Sequence, residues 1–145
     1  MQIVPFAPGH LGALDLQPRQ TLYRPYMTAT VGSGLAGGTA WSAVHAGRVV
    51  CCAGLQPIWP GRAAAWALFS KWFTPPLFLR LHLFVRGVLD NAQANGLRRI
   101  ETQIDPEFPQ AVRWAMLLGF EIEGLMRRFL PDGREMYLVA RIGTC

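Results

Sequence analysis

WAMLLGFEIEGLMRRFLPDGREMYLVARI, residues 114–142, is the stretch that decides how this chain is read. An apolar run at helical spacing, beginning at Phe108-Pro109, stops at Gly119. Phe120, Ile122 and Leu125 then lead into Arg127 and Arg128, and Pro131-Asp132-Gly133 supplies a turn. Proline pre-sets its own φ and glycine accepts a positive one, so this tripeptide reverses the chain for a physical reason. Met136 to Ile142 is a second run with strand character. The chain therefore closes as helix, Gly-Phe, strand, turn, strand.

Working outward, LRRIETQID before this block reads as a strand. Ile100, Thr102 and Ile104 share one face, and Glu101, Gln103 and Asp105 share the other. PPLFLRLHLFVRGVLDNAQANG reads as a long helix, with Pro75 and Pro76 in its first turn and Asn95-Gly96 as its stop. Gly87 inside it predicts a place of close packing, since glycine there costs a helix about 1 kcal/mol relative to alanine. Further back, Trp41–His45, VVCCAGLQP and AAAWALFS are joined by Ala46-Gly47-Arg48 and Trp59-Pro60-Gly61-Arg62, which predicts an antiparallel meander. The alanines of RAAAWAL leave a helical start open for its third member. An opening strand and a helix from about Gly9 to Leu16 precede an irregular segment. Gly32, Gly34, Gly37 and Gly38 there predict a mobile surface loop; GSGLAGG lacks the GK[ST] of a phosphate loop. The order is β-α-βββ-α-β-α-ββ. It predicts one α/β (α+β) domain over 1–145, with a mixed, mostly antiparallel sheet of six to seven strands flanked by helices.

Composition narrows the class. A chain of 145 residues, 51% hydrophobic and 16% charged, can bury a core and is not disordered. Fourteen cations against nine anions give +5, and Lys71 is the only lysine. Arginine forks suit phosphates and carboxylates, whereas net charge alone speaks to solubility. Cys51, Cys52 and Cys145 are no disulfide framework; adjacent strand residues face opposite ways, so Cys51 and Cys52 read as small buried hydrophobes. The N-terminus has no basic and apolar signal pattern, and residues 76–89 are too short and too charged to span a bilayer, which reads as cytoplasmic. His10 and His82 lack ligand partners at helical spacing, so no metal site is predicted. Arg127, Arg128 and Arg134 around Phe129 read as a solvated hairpin edge rather than a nucleic-acid surface.

The element order, with AVRWAMLLGFEIEG, resembles the GNAT acetyltransferase superfamily. Ala111, Gly119, Phe120, Glu123, Gly124 and Arg127 fall on that family's fourth motif, and Asp132-Gly133 on its hairpin turn. The likeness covers residues 39–142 in element order and is residue-specific from about 105 onward. The chain also resembles small GNAT-like proteins of tailed phages, whose meander carries a turn like Pro57–Arg62.

The resemblance implies a splayed pair of parallel strands near 63–70 and 98–105. It further implies acetyl-CoA or another acyl-CoA as donor and an amine as acceptor. The pantetheine arm would pair with the main chain of Trp66, Ala67, Leu68, Phe69 and Ser70, much as an added strand would. Lys71 and Thr74 would meet the pyrophosphate near the helix N-terminus, and Ala111 would line the carrier site. Glu101 or Asp105 would act as general base through a water, with His45 next in line.

Two departures accompany these matches. SKWFTPPLFLR stands where the family has a glycine-rich pyrophosphate loop, and its prolines remove N–H donors. Ala115 and Phe108 stand where the family has tyrosine and asparagine. Two readings follow: an acyltransferase, or a catalytically inactive GNAT-fold binding protein, virion-associated if phage-encoded. In the second, Trp59, Trp66, Trp72 and Phe73 would form a protein-binding face.

Overall fold

The computed structural model describes residues 1–143, so Cys145 lies outside them. In chain order the elements are β1 (Gln2–Pro5), α1 (Gly9–Ala13), a 3-10 helix (Pro18–Tyr26), α2 (Ala29–Ala36), β2 (Thr39–His45) and β3 (Arg48–Trp59). They continue with β4 (Arg62–Phe69), α3 (Pro75–Ala94), β5 (Arg99–Ile104), α4 (Pro109–Leu117), β6 (Glu121–Met126) and β7 (Met136–Ile142). Seven strands form one mixed sheet in the order β1-β2-β3-β4-β5-β7-β6. The pairs β1–β2, β2–β3, β5–β7 and β6–β7 are antiparallel, and β4–β5 is parallel. Parallel neighbours need a crossover, and the 20-residue α3 is that crossover. The parallel ladder is short, joining Arg62–Ala64 to Arg99–Glu101.

The chain contacts divide into two units: Met1–Pro57 with Ala65–Leu81, and Ile58–Ala64 with the chain from His82 onward. In the first, Phe6, Leu11, Leu14, Leu16 and Cys52 form a buried cluster, against which Met27, Leu35, Trp66 and Leu68 pack. The β2–β3 hairpin turns on Ala46 and Gly47, at φ 51° and 75°. Two successive positive φ values match the right-handed twist of the flanking strands. Cys51 and Cys52 are fully buried and unbridged, as small hydrophobes. Burial pushes the Cys51 thiol well up, and that of Cys52 to about 11 against the opposing Ser42 hydrogen bond.

The mobile loop expected before β2 is ordered helix. Thr28 caps α2 by accepting from Val31 N–H at 3.2 Å. Gly32 is buried, and a Cβ there would come within 3.1 Å of Pro8 Cβ. Its smallness serves helix approach, not mobility. The 3-10 helix is anchored by Arg24, whose guanidinium donates to the carbonyls of Leu11, at 2.9 Å, and Leu14. Leu11 O also accepts from Leu14 N–H at 3.4 Å, so Arg24 reinforces the carbonyl end of the short α1.

In the second unit the register runs Arg99↔Ile142 to Ile104↔Tyr137, and Ile100 and Val139 are wholly buried. Gly119 sits at φ +91°, with Arg141 Nε 3.2 Å from where a Cβ would stand. Arg141 donates to Leu118 O at 2.8 Å and Gln93 Oε1 at 2.7 Å, and pairs with Asp90. One side chain thus ties the end of α4 to the last turns of α3. Gly87 departs from expectation: nothing lies within 4 Å of its would-be Cβ, so it marks no close packing.

Candidate functional site

The helical start left open for RAAAWAL is excluded, since Trp66–Phe69 lie on β4. Ser70 N–H donates to Val50 O of β3 at 2.9 Å. Successive strand residues send their main-chain groups to opposite edges, so Ala67, Phe69 and Lys71 face away from β3. That second edge is already bonded. Lys71 N–H donates to Asp15 O at 2.9 Å and Gln17 N–H to Phe69 O at 2.9 Å. Gln20 completes the set: its Nε2 donates to Ala67 O at 2.9 Å, and its Oε1 accepts from Phe69 N–H at 2.8 Å. A side-chain carboxamide therefore pairs with β4 as a peptide unit of an added strand would.

Beyond the strand, Ser70 is buried and organises the turn, its Oγ accepting from Trp72 N–H at 3.1 Å. Lys71 Nζ lies 3.1 Å from Asp15 Oδ2, which also accepts from Trp72 Nε1 at 3.2 Å. The Lys71 bond holds the Asp15 carboxyl below the usual carboxylate range. Arg48 stacks 4.4 Å above the Trp72 ring, beside an open cavity of about 390 Å³ lined by Asp15, Arg48, Ser70 and Trp72 among others. A helix N-terminus ordinarily offers free N–H groups to an anion. Here Pro75 and Pro76 have none, and Leu77 N–H already donates to Thr74 O at 3.0 Å. Main-chain donors are therefore few at this turn, Lys71 and Arg48 are its cations, and Thr74 is exposed.

The second unit holds the two candidate carboxylates, Glu101 and Asp105. Glu101 is 5% exposed and accepts from Arg62, which stacks 4.4 Å over Trp59, and from Arg99 at 2.9 and 3.1 Å. Arg99 also donates to Glu123 at 2.6 and 3.0 Å, which holds the Glu123 carboxyl below its ordinary value. Arg62, Glu101, Arg99 and Glu123 form one chain of alternating charge. Asp105 accepts from Glu107 N–H at 2.9 Å and lies 3.6 Å from Arg134. Ala111 is half-buried on α4, and Ala115 is buried with only a methyl group to offer. His45 is exposed at the end of β2.

The tryptophans expected on one binding face are differently employed. Trp66 packs edge-on against Phe6 at 5.5 Å in the core, Trp72 stacks with Arg48 and Lys71, and Phe73 meets Phe69 at 5.3 Å. Trp59 is 59% exposed in the second unit. Gln17 and Gln20 escaped sequence reasoning altogether, because QPRQTLYRPY carries no motif and their partners lie about fifty residues away.

Superposed on solved structures, the chain matches Ard1 from Thermoplasma volcanium with a TM-score of 0.75, over 99% of this chain and 98% of that one, at 16% identity. The fold is that of GNAT acetyltransferases. A GNAT-family acetyltransferase from Streptococcus pneumoniae matches at a TM-score of 0.70, covering 99% of both chains at 16% identity. A Bacillus subtilis acetyltransferase in complex with CoA matches at 0.64, covering 79% of this chain and 83% of that one at 15% identity. No family model and no curated protein matches the sequence. Among the described residues there is no helix long and apolar enough to cross a membrane, and no cluster of three potential metal ligands.

Proposed function

We propose that this chain is an acyl-CoA-dependent N-acyltransferase of low turnover, acting in the cytoplasm on an amine. The observation that carries this reading is the full-length GNAT match, with its short parallel β4–β5 ladder and helical crossover. The amine nitrogen attacks the thioester carbonyl, forming the N–C bond while the C–S bond breaks. A carboxylate takes the ammonium proton through a water, and Glu101 and Asp105 are the candidates. The CoA thiolate takes its proton from solvent, because Ala115 has none to give. Loss of one proton donor costs on the order of 10² to 10⁴ in rate, hence the low turnover. The carrier's pantetheine would lie along Trp66–Ser70, with Lys71 and Thr74 in attendance. The test is release of free thiol from acetyl-CoA with a panel of amines. Slow release that falls at least tenfold in Asp105→Asn, or in Glu101→Gln under conditions where that variant is shown to be folded, supports the reading, and no release with any amine contradicts it.

A second reading is favoured by the bonded edge of β4 and the donor-poor start of α3. In it the chain is an inactive GNAT-fold binding or phage virion-associated assembly protein, with exposed Trp59 and Trp72 as contact residues.

A further inference from the structure

The main-chain edge on which the proposed carrier would lie is the edge that Gln20 holds. Pantetheine offers secondary amides to a strand, each with one donor and one acceptor. Gln20 offers the same pair, a donor to Ala67 O and an acceptor to Phe69 N–H. The two cannot use these atoms together, because the Phe69 N–H has a single proton to donate. We propose that Gln20 is a built-in competitor of the acyl carrier and the residue that sets acyl-CoA affinity. This rests on the acyl-CoA reading above.

Several features make Gln20 displaceable rather than fixed. It is neutral, so withdrawing it strands no charge. The 3-10 helix that carries it contains no buried residue, so the Gln20 side chain can swing out with little loss of apolar contact while Arg24 holds the helix. The neighbouring bonds from Gln17 and Lys71 are main chain to main chain, and they hold the Asp15–Gln17 segment whether or not the Gln20 side chain is in place. Gln20 is thus the one side chain on this edge that a ligand amide can replace atom for atom. Gln20 touches no reacting group and acts on affinity alone.

The experiment is calorimetric titration of acetyl-CoA into the wild-type chain, Gln20→Ala and Gln20→Leu, with thermal melts to establish folding. Leucine keeps most of the side-chain bulk but can neither accept from Phe69 N–H nor donate to Ala67 O, so it covers the case in which alanine loosens the fold. Both variants are expected to bind acetyl-CoA at least tenfold tighter than wild type. Desulfo-pantetheine, which lacks the nucleotide, should show the same ratio. Equal affinity in all three chains overturns the competitor role and leaves the acyl-CoA reading standing. Absence of binding in all three overturns that reading, and the competitor role with it. Tighter acetyl-CoA binding without the matching pantetheine effect places the gain elsewhere and also overturns the role.

Discussion

The edge of β4 and the charge chain around Glu101 are two polar constructions built on opposite principles. At β4 the partners are neutral: a glutamine amide and main-chain groups, half-exposed, each bond replaceable by water or by another amide. Around Glu101 the partners are ions, and a carboxylate that is 5% exposed is paired with Arg62 and Arg99. Breaking a neutral bond near solvent is inexpensive, whereas stranding a buried charge is not. The first construction can therefore yield to a ligand, and the second is fixed framework.

Removing Glu101 should show the largest difference. Glu101→Gln leaves two guanidinium groups facing a neutral amide, and stability should drop by about 3 kcal/mol, read from urea unfolding. A loss similar to that of Gln20→Ala would erase the contrast. Next, Gly32→Leu forces a side chain into the contact with Pro8 and should cost about 2 kcal/mol in the same assay. Unchanged stability would mean that α2 can move off Pro8. Gln20→Ala removes two bonds at a half-exposed site and should cost about 1 kcal/mol.

The smallest effect concerns acid. Asp15, exposed beside Lys71, has a folded pKa below its unfolded value. Its contribution is present above the usual carboxylate pKa of about 3.9 and is lost as pH falls through the lowered folded value. Asp15→Asn should slightly flatten the fall of Tm between pH 5 and pH 2. An unaltered acid limb would show that the Lys71 contact contributes nothing in solution.

These contrasts also explain what the sequence could reveal. The C-terminal third was legible because its structure is specified locally. Gly119 must adopt a positive φ, Asp132 accepts from Arg134 N–H two residues on at 3.1 Å, and the β6–β7 hairpin follows. The long helix was equally legible from its spacing and its Asn95-Gly96 stop, although Gly87 misled. Residues 18–36 were not legible. Their order comes from Arg24 reaching back to Leu11 and Leu14, from Gln20 reaching β4, and from Gly32 meeting Pro8. None of these leaves a periodic or compositional mark. Strand alternation put Glu101 and Asp105 on one face and the family resemblance offered them as bases, but neither could reveal that Glu101 is shared between two arginines.

The most direct test of the account is amide NMR of the wild-type chain during titration with acetyl-CoA. The account predicts saturable shifts of the Phe69 backbone amide and the Gln20 side-chain NH₂ together, with a midpoint weaker than about 10 μM, roughly 7 kcal/mol of binding. Saturation that leaves both signals unmoved, or no response at millimolar acetyl-CoA, would contradict it.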